Sequence, residues 1–280
     1  MKINKNTPAY YINLDVNIER NINIKRLLTK LEFTNVTKIT AINTQTAKLV
    51  DNYKSLIDKE SYQILINNNK NKTRKFHEEL TNGAIGCFLS HQSIYKKIVE
   101  NNIPNAIIFE DDVTSTLSSN DFWAQLSNIV IPNDADLFIF SGNISEPHHV
   151  TKTTYKFKRF TGAYFYLVTN NCAKILSNLN PIKYQIDHQI STLIMANTIN
   201  AYAYMGPSLV VPDLHFSTTI QNLDCSNCKT KDLSLSLPLI RDENKWYQSK
   251  YTILVVILMA LIIVVFIYIW RSYIYHKNSK

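Results

Sequence analysis

The sequence predicts an α/β fold with a largely parallel sheet and one C-terminal transmembrane helix. Short runs of β-forming residues alternate with segments whose apolar residues recur at helical spacing, which is typical of layered α/β domains. One predicted strand, within 105–113 (NAIIFEDDV), ends in three consecutive carboxylates. Residues 251–270 contain no charge, and at about 1.5 Å per residue they are long enough to span a bilayer core.

The predicted elements follow one another along the chain. A buried first strand at 9–14 (AYYINL) precedes an amphipathic helix within 15–33. The glycine-bearing turn at 81–86 opens a helix that ends near 101, and Asn170 or Asn171 is the expected N-cap of a later helix. The other expected elements are strands at 36–43, 105–110, 135–140, 162–169, 201–204 and 208–211, and helices within 53–66 and 185–198.

Composition divides the chain into four parts. Residues 1–222 carry the alternating elements of a globular domain, and 223–250 form a polar, irregular stalk. The stalk contains CSNC at 225–228 without the second Cys or His pair of a zinc finger, so a chance spacing or a disulfide is favoured over a zinc or redox site. The apolar segment 251–270 and a short basic tail, 271–280, complete the chain.

The apolar segment predicts a single-pass membrane anchor. Tyr251, Tyr268 and Trp270 stand near its ends, as interfacial aromatic residues do, and it lacks the polar face of a buried core helix. Similar basic charge on both flanks gives no orientation. Because the N-terminus lacks the apolar core of a signal peptide, the expected topology is a tail anchor with a cytosolic domain, and a lumenal domain is the alternative.

The basic residues do not predict a nucleic-acid partner. The formal net charge of +8 is spread along the chain, apart from the run at 70–75 (KNKTRK). A solvated loop explains that run best, because no RNA-reading or helix-turn-helix signature accompanies it.

Glu110, Asp111 and Asp112 carry the strongest chemical signal. Like charges at the end of a buried strand repel each other and lose hydration, so a compensating partner is expected. A divalent cation with oxygen ligands is one solution, and a loop in which Asp111 or Asp112 caps the amides of 114–116 is another. A two-metal nuclease is a third interpretation, although the sequence shows no second acidic cluster.

A second motif, 86–91 (GCFLSH), lies about twenty residues upstream at an expected helix start. Gly86 permits close backbone approach, and the start of a helix attracts anions near Ser90 and His91. A buried structural histidine is the alternative interpretation of His91.

These motifs together resemble glycosyltransferase family 25. Residues 83–113 are similar to the family's block in which GCxxSH precedes EDD, and 10–21 (YYINLDVNIERN) resembles its opening strand. Weaker similarity at 161–176, 181–191 and 207–222 extends the resemblance over most of the domain.

The resemblance implies a GT-A type nucleotide-diphospho-sugar transferase fold with a mixed, mainly parallel sheet. The implied donor is a UDP-sugar, with UDP-galactose ahead of UDP-glucose and UDP-GlcNAc. A divalent cation, Mn²⁺, would be bound by Asp112 with Glu110 at the ion's water or the ribose. The residues implied to bind the nucleotide-sugar are Asn13, Arg20, Gly86, Ser90, His91, Glu110 and Asp111.

The family inverts the anomeric centre, which requires a general base for the acceptor hydroxyl. Asp187 is the implied base, and a helix N-terminal Asp stabilised by the dipole is the alternative. His188 and His215 are weaker candidates, the latter as a third metal ligand. The acceptor would be a glycan, a lipid-linked sugar or a protein hydroxyl. A catalytically inactive, membrane-anchored domain that binds glycans or proteins is the rival function.

Overall fold

The computed structural model describes residues 2–218, 220 and 223–227. The chain separates into two units, Met1–Lys229 and Thr230–Lys280, and every described residue belongs to the first. The predicted membrane segment 251–270, the tail 271–280 and most of the predicted stalk lie outside the described residues. Within the described ranges, no helix combines the length and the apolar character needed to cross a bilayer.

Helices and strands alternate through the described chain. The helices are α1 (Ile18–Lys30), α2 (Ala47–Asp51), α3 (Lys59–Asn71), α4 (Asn82–Glu100), α5 (Ser119–Ser127), α6 (Asn170–Leu176) and α7 (Ile186–Met195), with a 3₁₀ turn at Lys54–Leu56. The strands are β1 (Ala9–Asn13), β2 (Val36–Thr40), β3 (Thr73–Arg74), β4 (Asn105–Phe109), β5 (Val113–Thr114), β6 (Leu137–Ser145), β7 (His148–His149), β8 (Thr154–Lys156), β9 (Arg159–Thr169), β10 (Ala201–Tyr204), β11 (Val211–Pro212) and β12 (Asp224–Cys225).

Eight of these strands form one mixed sheet, in the order β2-β1-β4-β9-β6-β10-β8-β7. β1 pairs in parallel with β2 and β4, and β6 pairs in parallel with β10. β9 runs antiparallel between β4 and β6, and β8 runs antiparallel to both of its neighbours. The expected parallel order is interrupted at β9 because the connection from β6 to β9 contains strands instead of a crossover helix.

The sheet is packed on both faces, which explains the continuous apolar run of β4. Ala106 and Ile108 belong to the core that contains residues of α4, α6 and α7. Ile107 and Phe109 point to the other face, where the core contains residues of α1 and α5. Successive side chains of a strand alternate between faces, so a strand covered on both sides has no polar face.

The shared direction of β1, β2 and β4 brings three strand ends to one edge of the sheet. β1 ends at Asn13, β2 at Thr40 and β4 at Phe109, and the acidic triplet follows β4 directly. Open α/β sheets bind ligands beyond this edge, because the loops that follow the strands surround a crevice there.

Several elements differ from the sequence prediction at their ends. The helical patch expected within 53–66 is divided, because Asp58 is the N-cap from which α3 begins. α6 is capped by the hydroxyl of Thr169, and the expected caps Asn170 and Asn171 lie inside the helix. The strand expected at 208–211 is reduced to the short β11, which pairs with β5.

We predict that the buried face of α1 contributes much of the stability of the core between α1 and the sheet. Ile24 is fully buried and Ile22, in the same helix, is 51% exposed. Ile24→Ala should lower the free energy of unfolding by about 2–5 kcal/mol, because it removes packed methylene groups and leaves a cavity. Ile22→Ala should change it by less than about 0.5 kcal/mol. Urea denaturation of the full chain measures both, and equal losses would contradict the assigned helix face.

Candidate functional site

An open cleft lies at the edge where β1, β2 and β4 end. Its walls are formed by the start of α1, the loop after β2, the first half of α4 and the turn after β4. The predicted site residues that line it are Asn13, Arg20, Gly86, Ser90, His91, Glu110, Asp111 and Asp112. Asp187 is not among the lining residues.

Asp111 is the most completely bonded carboxylate of the cleft. Its Oδ2 accepts a hydrogen bond of 2.6 Å from Asn13 Nδ2, and its Oδ1 accepts one of 2.9 Å from Arg20 Nη1. Arg20 Nη2 donates to the carbonyl of Ser217 at 2.5 Å. Asn13 and Arg20 were expected to contact a nucleotide, and here both hold Asp111. Their role towards a nucleotide stays a prediction.

Only one of the two carboxylate oxygens of Asp112 lies near a cation. Its Oδ2 lies 3.2 Å from Arg20 Nη1, whereas its Oδ1 is buried and has no hydrogen-bond partner among the described residues. Burial raises the pKa of Asp112 above its ordinary value, although Arg20 opposes that rise. In the described part of the chain neither Asp111 nor Asp112 caps 114–116, so the loop-capping interpretation does not account for the triplet. An orphaned buried oxygen of this kind favours binding of a cation or a hydrogen-bond donor.

Gly86 and Ser90 attach α4 to the loop after β2. A Cβ on Gly86 would lie 2.2 Å from the carbonyl oxygen of Ile42 and 2.5 Å from Thr44 Oγ1, so only glycine fits there. Ser90 Oγ accepts a hydrogen bond from the amide of Ile42 at 2.8 Å and donates one to the carbonyl of Gly86 at 2.6 Å. The close approach expected at Gly86 is therefore made to the protein's own backbone.

His91 lies fully buried at the base of the cleft. Its Nδ1 is 2.7 Å from the hydroxyl of Tyr166, which is in turn 2.8 Å from the hydroxyl of Tyr95. Its Nε2 faces Glu110 Oε1 at 3.7 Å. Burial lowers the pKa of His91 to about 4, so the imidazole is neutral near pH 7.

Glu110 is the most strongly perturbed carboxylate. Burial raises its pKa well above the ordinary value, and the charges of Asp112, Asp111 and Asp187 raise it further, while Arg20 opposes them. A buried carboxyl among like charges is a frequent feature of functional sites. The same environment raises the pKa of the nearby Tyr164 to about 12, mainly through burial.

Asp187 lies beside the cleft, in the first turn of α7. Its Oδ2 accepts a hydrogen bond of 3.1 Å from the amide of Gly162, and its Oδ1 accepts one of 2.8 Å from the amide of His188. Its charge acts on Glu110, so the two carboxylates are within electrostatic reach. These hydrogen bonds from two backbone amides suit a structural aspartate at the start of a helix. The assignment of Asp187 as the general base stays a prediction.

The two weaker histidine candidates are not part of the cleft lining. His188 is buried, and its Nδ1 has no hydrogen-bond partner within the described ranges. His215 is exposed, and its Nδ1 pairs with Asp213 Oδ1 at 2.7 Å.

Cys87 and Tyr166 belong to the site and were missed from the sequence. Cys87 lines the cleft one helical turn before His91, and an oxygen of Glu110 lies within 4.8 Å of both ligand atoms. The spacing of four residues on one helix was a readable signal, because it places both side chains on the same face. Tyr166 lies in β9, within the strand predicted at 162–169, but nothing in the sequence distinguished it from the other aromatic residues of that strand.

We predict that Asp111 holds the cleft together. Asp111→Ala should lower the free energy of unfolding by about 3–5 kcal/mol, because Arg20 would remain buried without its best-placed partner. Asp15→Ala is the matched control: Asp15 also pairs with a cation, Lys38, at 2.7 Å, but its side chain is largely exposed. We expect almost no change for that variant. Equal effects in denaturant titrations would show that the Arg20 pair is not structural.

Comparisons of the sequence with a family model and with known proteins lead to the same family. The model of the family described as glycosyltransferase family 25 (LPS biosynthesis protein) matches residues 6–190. A 34-residue segment is 47% identical to Procollagen galactosyltransferase 2 of Homo sapiens, covering 12% of this chain and 5% of that protein. Inactive glycosyltransferase 25 family member 3 of Mus musculus is 50% identical over 34 residues, which is 12% of this chain and 6% of that protein.

Among solved structures, UDP-glucose pyrophosphorylase complexed with UDP-glucose is similar over 71% of this chain and 90% of its own, with 10% identity and a TM-score of 0.41. That score is too low to support a functional comparison. The family match is stronger evidence than this structural similarity, because it extends from before β1 into α7 and includes every residue of the acidic triplet. The chain belongs to glycosyltransferase family 25.

Proposed function

We propose that this protein is an inverting, metal-dependent glycosyltransferase that moves a hexose from a UDP-sugar to a hydroxyl group. The observation that carries the proposal is the cleft at the strand ends: Glu110 and Asp112 line it beside the start of α1, and Oδ1 of Asp112 is buried there without a partner among the described residues. Family membership supports the reaction class. Galactose is the favoured sugar, and a glycan, a lipid-linked sugar or a protein hydroxyl would be the acceptor.

The charge of the cleft explains why a cation is part of the proposal. A UDP-sugar brings a diphosphate, and three carboxylates already lie at the same edge of the sheet. Arg20 is the cation that lines the cleft together with them, and it is engaged by Asp111 and Asp112. Negative charge on the donor would therefore meet uncompensated negative charge on the protein.

The residues present fit a hard divalent ion such as Mn²⁺. Asp112 would hold it through the oxygen that lacks a partner, with Glu110 beside it, and oxygen ligands suit such ions. When bound, the ion would supply the positive charge that stabilises the UDP leaving group.

Residues of the chain would shape the cleft, orient the carboxylates and accept the proton. The close contact between α4 and the loop after β2 would keep the cleft narrow, and Arg20 would orient Asp111 and Asp112. Asp187 would accept the proton of the acceptor hydroxyl. Its two amide hydrogen bonds fix the orientation of the carboxylate, which a general base needs.

The rival proposal is an inactive binding domain with the same cleft. Relatives whose names include the word inactive motivate it. Donor turnover distinguishes the two: an enzyme releases UDP from at least one sugar nucleotide, whereas a binding domain releases none. The membrane anchor at 251–270 and a cytosolic catalytic domain are also proposed, and protease protection of the tail in microsomes tests them.

We predict that Asp112→Asn abolishes metal-supported turnover. Mn²⁺-dependent release of UDP by the full chain should fall by roughly 100–1,000-fold, because several kcal/mol of transition-state stabilisation would be lost. The control is Asp213→Asn, which removes a neighbouring carboxylate that is engaged by His215. We expect that control to keep most of the activity. Undiminished turnover in EDTA would rule out the metal-dependent part of the proposal.

For Asp187→Asn we predict a loss of turnover without a loss of UDP binding. Turnover should fall by about 100–10,000-fold while the dissociation constant for UDP changes little, because a general base acts only in the chemical step. Asp121→Asn is the matched control, since Asp121 also occupies the first turn of a helix but lies in α5. Parallel loss of UDP binding and turnover would remove Asp187 as the base.

A further inference from the structure

Cys87, His91 and Glu110 form a compact cluster of three different ligand types. A thiol sulfur, an imidazole nitrogen and a carboxylate oxygen all lie within 4.8 Å of one another. Cys87 and His91 are one turn apart on α4, and Glu110 approaches from the end of β4. The distance between His91 Nε2 and Glu110 Oε1 is 3.7 Å, which exceeds a hydrogen bond.

His91 Nε2 is the independent sign that something belongs between these groups. The residue is completely buried, and this nitrogen has no hydrogen-bond partner among the described residues. A buried imidazole nitrogen without a partner is destabilising, so proteins rarely retain one without a ligand or a bound water. Its direction is into the gap shared with Glu110 and Cys87.

The other side of the imidazole has the arrangement of a metal-binding histidine. Nδ1 is 2.7 Å from the Tyr166 hydroxyl, which is 2.8 Å from the Tyr95 hydroxyl. Histidines that bind a metal through one nitrogen commonly donate a hydrogen bond from the other, which fixes the ring and the tautomer. With the proton on Nδ1, the Nε2 lone pair is available to a cation.

The ligand types and spacing select zinc. Sulfur, nitrogen and oxygen together suit Zn²⁺, whereas Mn²⁺ and Mg²⁺ prefer oxygen alone. Nitrogen and oxygen ligands about 2.0–2.1 Å from a tetrahedral zinc lie about 3.3–3.4 Å apart, so the 3.7 Å gap requires little movement. All three residues line the cleft, so a fourth coordination position would face it.

We propose that Cys87, His91 and Glu110 form a binding site for Zn²⁺ at the base of the cleft. Binding releases the thiol proton of Cys87 to solvent, together with any proton that Glu110 carries, so that a thiolate, a carboxylate and a neutral imidazole hold the ion. The site differs from the Asp112 position proposed for Mn²⁺, although Glu110 stands beside both. It goes beyond the proposed function and does not depend on it, because the ion binds without a donor.

The other free cysteine within the described residues supplies a matched comparison. Cys172 belongs to α6, is completely buried in the core that also contains residues of α4, and has no part in the cluster. Cys87 is only half-buried and faces the cleft. A thiol that served only for packing would be expected in an environment like that of Cys172.

The test is Co²⁺ binding to the full chain in detergent, without a nucleotide. We expect thiolate-to-cobalt charge-transfer absorption that saturates at one equivalent and disappears when Zn²⁺ is added. Cys87→Ser should abolish the band, and Cys172→Ser should retain it. Tyr166→Phe removes the hydroxyl that partners both His91 Nδ1 and Tyr95, and it should weaken binding by about 10–100-fold.

Two results of the cobalt titration would overturn the site. A band that persists in Cys87→Ser would exclude this thiol, and a band that disappears in a Cys225→Ser/Cys228→Ser variant would assign binding to the CSNC segment. If Cys87→Ser does not fold, alkylation of the wild-type chain replaces it as the test. Zn²⁺ should then slow the labelling of Cys87 by iodoacetamide, whereas the completely buried Cys172 should stay unlabelled with and without Zn²⁺. Equal labelling of Cys87 with and without Zn²⁺ would refute the proposal.

Discussion

The buried ion pair between Arg20 and Asp111 is the interaction on which the rest of the site depends. It joins α1 to the turn after β4, and Asn13 at the end of β1 completes it. The same guanidinium binds the carbonyl of Ser217 and lies 5.5 Å from the ring centre of Phe216. A buried pair of this kind adds little net stability, because both ions lose hydration. Its main consequence is geometric: it sets the positions of the two neighbouring carboxylates.

The three carboxylates after β4 therefore differ in role although they are consecutive and chemically alike. Asp111 is fully bonded within the protein. Asp112 keeps one oxygen without a partner, and Glu110 faces a neutral imidazole. Burial and mutual repulsion raise the pKa of Glu110 well above its ordinary value, and they raise that of Asp112 as well. Only Glu110 and Asp112 thus have capacity for a cation, and their surroundings differ: a thiol and an imidazole lie beside Glu110, whereas Arg20 lies beside Asp112.

The opposite wall depends on a steric constraint. Gly86 lets α4 approach the carbonyl of Ile42 more closely than any side chain would permit, and Ser90 adds two hydrogen bonds to the same contact. That contact sets the depth at which Cys87 and His91 enter the cleft. Charge compensation on one wall and close packing on the other together produce one binding cleft from four distant segments of the chain.

The fold class, most of the strands and helices, the family resemblance and the set of polar residues at the strand ends could be predicted from the sequence. These depend on local periodicity and on a short motif, which sequence order preserves. The pairing partners of Arg20 and Asn13, the antiparallel insertion of β9 and the contribution of Tyr166 were decided only by the tertiary structure. Each depends on contacts between residues far apart in the chain, and burial at those contacts decides which charges are compensated. The cluster of Cys87, His91 and Glu110 depends on both local spacing and tertiary contacts. Helical spacing predicts that Cys87 and His91 share a face, and the packing of α4 on β4 brings Glu110 next to them.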